Sequence, residues 1–144
     1  MLTHALGQPL GFTGNHMPTI LVVDDEAPIR MFVAEYLADY GLNVMEAASA
    51  AQAKDLLLDH TIDVVFSDIN MPGGETGFGL ARWIYQYCPN TKVLLTSGYP
   101  QVAADTRSLR EPLILKPYSL STVLGRIEKL FSEDSHHYIT PRPR

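Results

Sequence analysis

Short apolar runs rich in β-branched residues alternate along this chain with segments of helical periodicity. The segment Thr19–Val23 is a continuous apolar run, as expected for a parallel strand that is covered on both faces. Comparable runs lie at 42–45, 62–66, 92–95 and 112–115, and helical patterns lie at 27–40, 49–58, 78–87 and 120–131. Crossovers between parallel strands are right-handed and place helices on both faces of the sheet. The pattern predicts an α/β fold, a doubly wound five-stranded parallel sheet, with a weak or irregular fourth helix at 100–110.

The two ends of the chain lack this alternation. Residues 1–17 are rich in glycine and are interpreted as an N-terminal extension or leader. Residues 134–144 are polar and rich in proline, and we expect them to form a flexible tail. A single domain is therefore predicted at 18–133. The length of 144 residues and the hydrophobic fraction of 46% suit one domain with one core.

Charge and composition argue against several classes of function. The net charge of -5 provides no overall positive field for a nucleic-acid backbone, so we expect no direct nucleic-acid partner. No apolar run approaches the ~18 residues that a membrane span needs, and the N-terminus has no signal-peptide pattern. Cys88 is the single cysteine, which excludes an intrachain disulfide and suits a reducing compartment. We therefore expect a cytoplasmic protein without membrane insertion.

Polar side chains follow four of the five predicted strands directly. Because the carboxyl ends of parallel strands meet at one edge of the sheet, where ligands bind in such folds, we expect these side chains to converge. They are Asp24, Asp25 and Glu26 after the first strand, Asp68 after the third, Thr96 and Ser97 after the fourth, and Lys116 after the fifth.

Carboxylates packed at this edge repel one another, and each is costly to desolvate unless it is paired. A hard divalent cation resolves the conflict, and Mg2+ prefers an octahedron of oxygen ligands that includes waters. Asp25 and Asp68 are predicted to supply ligands, with Asp24 close by, directly or through water. The backbone carbonyl of Asn70 is a further candidate ligand. The sequence therefore predicts a Mg2+ site.

A carboxylate held against such a cation can attack the phosphorus of a phosphodonor and form an acyl phosphate. The transferred group needs its equatorial oxygens neutralised, and the cation, the Lys116 ammonium and the Thr96 hydroxyl each suit one of them. Taken singly, each residue has an ordinary structural interpretation: a helix N-terminus for Asp25, a turn for Thr96, an exit turn for Lys116. Their joint occurrence at the ends of one sheet favours a phosphoacceptor site at Asp68.

Four motifs resemble the receiver domain of two-component response regulators, the CheY-like family. They are Val22-Val23-Asp24-Asp25-Glu26, Ser67-Asp68-Ile69-Asn70-Met71-Pro72-Gly73, Leu95-Thr96-Ser97-Gly98-Tyr99 and Leu115-Lys116-Pro117. The resemblance covers residues 18–131, and stand-alone receivers and those of hybrid histidine kinases share this style of motif. It implies a cis peptide bond between Lys116 and Pro117.

The same resemblance implies the roles of the site residues. Asp68 is the aspartate that accepts a phosphoryl group from a histidine kinase or a histidine phosphotransfer protein. Asp24 and Asp25 are the acidic metal pair, and Thr96 and Lys116 are the switch hydroxyl and lysine. The output is a contact with a downstream protein. Such a chain takes part in its own phosphoryl transfer and in slow autodephosphorylation, and is otherwise not an enzyme.

Two departures from the family pattern concern the output. Many members carry an aromatic switch residue at the position of Leu113, and Tyr99 is a candidate substitute for it. The segment 100–110 is thin where the family's fourth helix stands. The loop at 73–77 is also one residue longer than the commonest form. The entropic cost of closing a loop grows slowly with its length, so such an extension is easily accommodated.

Three other functions share parts of this pattern. A haloacid-dehalogenase-type phosphatase needs a second aspartate two places after its nucleophile, but Glu26 and Asn70 stand at that offset from Asp24 and Asp68. A flavodoxin-like cofactor protein needs a phosphate-cradling loop after the first strand, where acids stand instead. The third alternative is a pseudo-receiver that serves as an interaction module and is never phosphorylated.

Overall fold

The computed structural model of the protein describes residues 17–98 and 108–139, with the backbone alone for 133–139. Its strands are β1 Thr19–Val23, β2 Asn43–Ala47, β3 Val64–Asp68, β4 Lys92–Ser97 and β5 Ile114–Leu115. Its helices are α1 Ala27–Asp39, α2 Ala50–Asp59, α3 Gly77–Tyr87 and α4 Leu120–Ile139. All strand pairs are parallel, in the order β2-β1-β3-β4-β5, which confirms the predicted doubly wound sheet.

The irregular helix predicted at 100–110 falls mainly on residues 99–107, which lie outside the described residues together with Tyr99. The described residues that follow, 109–113, form neither helix nor strand. Among the described residues, no helix combines the length and apolar character that a membrane span requires.

Alternate residues of the strands divide the core into two layers, because successive strand side chains point to opposite faces. Leu21, Val65 and Leu95 pack with α2 and α3 on one face. Val22 and Phe66 pack with α1 and α4 on the other face. Both faces of the sheet are therefore buried over the central strands β1, β3 and β4, which explains why their runs are continuously apolar rather than alternating.

The strands extend further toward the carboxyl edge than the apolar runs predict. β3 ends at Asp68 and β4 at Ser97, whereas the sequence placed their ends at 66 and 95. Polar side chains did not end the strands, since main-chain pairing continues through them: Asp68 lies opposite Thr96 in the register. The predicted site residues on β3 and β4 are thus held by the sheet itself.

Side-chain caps fix the starts of three helices. The Ser49 and Ser119 hydroxyls accept hydrogen bonds from Gln52 N and Thr122 N, as predicted for both serines. The Thr76 hydroxyl accepts a hydrogen bond from Gly79 N and starts α3 one residue before its predicted beginning. α4 continues to Ile139, past the predicted end at 131, because 132–139 contain neither proline nor glycine.

Gly77 sits where α3 approaches the backbone of the β3 end most closely. A Cβ atom built there would lie 2.6 Å from the Asp68 carbonyl oxygen. Gly77→Ala is therefore expected to lower the free energy of unfolding by about 1–3 kcal/mol, measured by urea denaturation. Gly125→Ala is the matched control, since its Cβ meets nothing within 4 Å. That change is expected to raise the free energy of unfolding by about 0.5–1 kcal/mol, since alanine favours a helix. Equal effects at the two sites would contradict the close approach of α3 to the β3 backbone at Gly77.

Candidate functional site

A cleft of about 550 Å³ opens at the carboxyl edge of the sheet. It is bordered by the carboxyl ends of β1, β3 and β4 and by Lys116, the residue that follows β5. Its lining residues are Asp25, Glu26, Asp68, Asn70, Pro72, Gly98 and Lys116. The structure therefore brings Asp25, Asp68 and Lys116 together from three of the four predicted strand ends, whereas the end of β4 contributes Gly98 to the lining.

Asp68 lies at the floor of this cleft with 5% of its surface exposed. Its Oδ2 accepts a hydrogen bond from Lys116 Nζ at 2.6 Å, and the two groups form an ion pair. Its Oδ1 accepts a hydrogen bond from the Asn70 main-chain N–H at 3.0 Å. Both carboxylate oxygens are therefore oriented, which fixes the direction in which the carboxylate faces the cleft.

Lys116 reaches Asp68 from the loop after β5, and its peptide bond to Pro117 is cis, as predicted. Burial alone lowers the pKa of the Lys116 ammonium. The hydrogen bond to Asp68 and the charges of Asp68 and Asp24 outweigh burial, so this pKa lies above its usual value. Lys116 is consequently a fixed positive charge beside Asp68 at neutral pH.

Asp24 is buried, with 5% of its surface exposed, whereas its neighbour Asp25 is exposed on the cleft wall. The Asp24 Oδ1 accepts a hydrogen bond from Glu26 N at 2.9 Å. Burial raises the pKa of the Asp24 carboxyl above its usual range, and the charge of Asp68 adds to the rise. The Glu26 hydrogen bond and Lys116 oppose this rise without cancelling it. Burial is thus the main reason that the Asp24 carboxyl holds its proton more tightly than a free aspartate does.

The donor chemistry of the cleft fits a hard cation that retains waters. Asp24, Asp25 and Asp68 offer carboxylate oxygens, and Asn70 lines the same cleft. Within the part of the chain that the structure describes, no three acidic, histidine or cysteine side chains form a ready-made metal cage. Mg2+ suits this arrangement, because it binds through few carboxylates and completes its octahedron with water.

Thr96 occupies the position beside Asp68 on β4 and is 1% exposed. Its main-chain carbonyl accepts a hydrogen bond from Ile69 N at 3.0 Å. Its hydroxyl, by contrast, is the one buried side-chain polar atom without a hydrogen-bonding protein partner among the described residues. Burying an unpaired hydroxyl is costly, because the group loses its hydrogen bonds to water without gaining one from the protein.

Residues 20–128 match the family described as the response regulator receiver domain. The chain belongs to this family. It is therefore a receiver domain of two-component signalling, a class of phosphorylation-based signalling modules rather than general enzymes. Members of the family interact with histidine kinases and with downstream effectors.

Known proteins resemble this receiver along most of its length. The response regulator receiver protein CpdR of Brucella abortus is 29% identical over 117 residues, covering 79% of this chain and 97% of CpdR. The DNA-binding transcriptional regulator NtrC of Escherichia coli K12 is 27% identical over 128 residues, covering 87% of this chain. This chain spans only 26% of NtrC, so it corresponds to one part of that longer protein.

Solved structures share the fold. A CheY-like receiver domain protein from Methanospirillum hungatei superposes with a TM-score of 0.78 at 22% identity, covering 85% of this chain and 99% of that one. The response regulator TrrA from Thermotoga maritima, in complex with Mg2+-BeF, gives a TM-score of 0.72 at 28% identity, covering 79% of this chain and 99% of that one. Both superpositions support the α/β fold described above.

Several other side chains of the receiver lie outside the cleft. Leu113 is half-buried and packs against the core layer beneath α2 and α3. Trp83 and Tyr87 share one face of α3, with ring centroids 5.3 Å apart, and only Tyr87 is largely exposed. Cys88 is a free, half-buried thiol whose pKa burial raises.

Two interactions of the receiver were not predicted from the sequence. Glu75, in the lengthened loop, is ion-paired with Lys54 of α2. Arg30 of α1 contacts the main chain of Asp24. Neither Glu75 nor Arg30 stands in a recognisable motif. The position of Arg30, six residues after Asp24, is the only sequence signal for the second contact.

The raised pKa of Asp24 makes the stability of the metal-free protein depend on pH. Because the folded carboxyl binds its proton more tightly than the unfolded one, its contribution is present at low pH and is lost as the pH rises through the raised pKa. Asp24→Asn is therefore expected to increase the free energy of unfolding at pH 7, and to do so less at about pH 4. Urea denaturation at both values measures this; the exposed Asp55→Asn is the control, and an Asp24→Asn protein less stable at pH 7 would contradict the prediction.

Proposed function

We propose that this receiver accepts a phosphoryl group on Asp68 from a histidine kinase or a histidine phosphotransfer protein, with Mg2+ bound beside it. The acyl phosphate then changes a surface that a downstream protein recognises. Asp68, Thr96 and Lys116 carry out the transfer, and Asp24, Asp25, Asp68 and the Asn70 carbonyl hold the metal. The domain proposed for this role spans 18–133, in a cytoplasmic setting.

The observation that carries the proposal is the buried, unpartnered hydroxyl of Thr96 directly across the sheet register from Asp68. A protein that used this edge only for packing would gain stability by placing valine there. A phosphoryl group on Asp68 brings three new acceptor oxygens to the cleft. One of these oxygens supplies the partner that the hydroxyl lacks.

In the proposed transfer, an oxygen of the Asp68 carboxylate attacks the phosphorus of a phosphohistidine. The new O–P bond forms as the N–P bond breaks, and the imidazole departs with the electron pair and takes up a proton. Lys116 Nζ, already 2.6 Å from Oδ2, stabilises the charge on the transferring oxygens. Mg2+, when bound, neutralises the remaining charge and favours the in-line geometry.

The proposed output begins with the same atoms. The phosphoryl oxygens draw the Thr96 hydroxyl inward and hold Lys116, which shifts the end of β4 and the start of the loop after β5. Leu113 is aliphatic and packed into the core, so an aromatic rotation at that position does not transmit the change here. The acyl phosphate is lost by slow attack of water, which returns the domain to its starting state.

Acetyl phosphate provides a direct test without a cognate kinase. We expect the purified protein, incubated with acetyl phosphate and Mg2+, to gain the mass of one phosphoryl group by intact mass spectrometry. Chelation of the metal with EDTA is expected to prevent the gain, because the carboxylates then lack their counter-charge.

A receiver of known activity, treated in parallel, serves as the positive control. If that control is labelled and this chain is not, the proposal fails and the chain is a pseudo-receiver that acts as an interaction module. Labelling that is unaffected by EDTA would contradict the metal assignment while leaving the phosphoacceptor role in place.

A further inference from the structure

Arg30 of α1 joins the acidic loop after β1 to the edge strand β2. Its Nη1 donates a hydrogen bond to the Asp24 carbonyl oxygen at 2.9 Å. Its Nε donates to Glu46 Oε1 at 3.0 Å, where the two side chains form an ion pair. The Arg30 side chain is only 17% exposed. A planar guanidinium with several donors can make both contacts at once, which a lysine ammonium on a flexible stem does less well.

The Asp24 backbone is fastened at each end. Its N–H donates to the Ala47 carbonyl at 3.1 Å, and its carbonyl accepts from Arg30. Glu46, the ion-pair partner, lies opposite Val22 in the β1–β2 register. The Asp24 carbonyl belongs to the planar peptide that joins Asp24 to Asp25. Fixing that carbonyl therefore fixes the plane from which both carboxylates project.

The guanidinium bonds to the main chain of Asp24 and not to its carboxylate. Arg30 bonds to Asp24 through the main-chain carbonyl, and its charge is paired with Glu46. The Asp24 carboxylate instead accepts its hydrogen bond from Glu26 N. The acidic pair is thus oriented by a cation that leaves its negative charge available to a metal ion.

We propose that Arg30 is a positioning residue for cation binding, which acts by holding the Asp24–Asp25 peptide through the Asp24 carbonyl. This rests on the function proposed above, since it assumes Mg2+ at the acidic pair. Residues that orient the ligands of a metal site commonly change its affinity 10–100-fold when they are removed.

Isothermal titration calorimetry of Mg2+ into the metal-free protein tests this inference, with urea denaturation run on each variant. Arg30→Met keeps the apolar stem and removes both hydrogen bonds, and it is expected to weaken Mg2+ binding by about tenfold or more. Glu46→Gln is the matched control: it removes the ion pair and leaves the Asp24 carbonyl bond. Its Mg2+ affinity is expected to stay within about threefold, because an exposed pair contributes little.

Two results would overturn the inference: Arg30→Met binding Mg2+ as tightly as the wild type, or Glu46→Gln losing as much affinity as Arg30→Met. If Arg30→Met does not fold, Arg30→Lys replaces it, with a loss of at least about threefold expected and unchanged affinity counting against the inference. Acetyl phosphate labelling of the wild type separates the two proposals. A wild type that is labelled while Arg30 proves dispensable refutes only the role of Arg30, whereas an unlabelled wild type refutes the phosphoacceptor function itself.

Discussion

Asp68→Asn is expected to abolish phosphoryl uptake from acetyl phosphate completely. An amide nitrogen or oxygen in place of the carboxylate is too weak a nucleophile to form the acyl phosphate. The fold should survive, because asparagine has the shape of aspartate and its Oδ1 can still accept from Asn70 N, although its Nδ2 cannot accept the hydrogen bond from Lys116. Intact mass spectrometry after incubation with acetyl phosphate and Mg2+ measures the outcome.

The control for this experiment is Asp55→Asn, which changes an exposed aspartate of α2 in the same way. It should be labelled as fully as the wild type. Peptide mapping of the labelled wild type should place the added mass on the peptide that contains Asp68. Labelling of the Asp68→Asn protein would mean that another residue is the acceptor.

Thr96→Val should have opposite effects on the resting and the phosphorylated protein. Removing a buried hydroxyl that has no protein partner is expected to raise the free energy of unfolding of the resting protein by about 1–3 kcal/mol. The same change removes a ligand for the phosphoryl oxygens. Mg2+ with beryllofluoride, a phosphoryl mimic, should therefore raise the thermal midpoint of Thr96→Val less than that of the wild type.

Thr91→Val is the matched control for this pair of effects. Thr91 is also buried, but its hydroxyl donates to the Ile62 carbonyl at 2.7 Å. Its replacement leaves that carbonyl unpaired, and stability should fall by about 1–3 kcal/mol. The gain from beryllofluoride should be unchanged, because Thr91 stands at the other end of the sheet, next to Lys92 at the start of β4. A Thr96→Val protein that is destabilised like Thr91→Val would refute the functional interpretation of the unpaired hydroxyl.

The opposition between stability and function has a common physical origin at this edge of the sheet. Asp24 is a buried carboxyl with a raised pKa, and Thr96 is a buried hydroxyl without a partner. Each costs folding free energy in the resting protein, and each has chemistry suited to a ligand that carries charge and oxygen atoms. Substitutions at both positions that raise the free energy of unfolding and also weaken phosphoryl uptake or the response to it would be direct evidence that stability is lost here for function.

The sequence alone determined the class of fold, a doubly wound parallel sheet. It also determined the approximate positions of the helices and the polar residues at the carboxyl edge. Parallel strands covered on both faces are continuously apolar, so their runs are visible without a structure, and their polar ends meet at one edge by topology. This is why Asp24, Asp68 and Lys116 could be singled out as residues that directly follow apolar runs, whereas their roles came from the family resemblance. Strand ends were less accurate, since Ser67 and Thr96 pair within the sheet although their side chains are polar.

Only the tertiary structure decided how these side chains use one another. It showed that Lys116 is bonded to Asp68, that the Thr96 hydroxyl is left unpaired, and that Arg30 holds the Asp24 carbonyl while Glu46 pairs its charge. These facts depend on distances between atoms far apart in the chain. Periodicity reports which face a residue occupies, but it carries no information about which of several nearby donors its polar atoms meet.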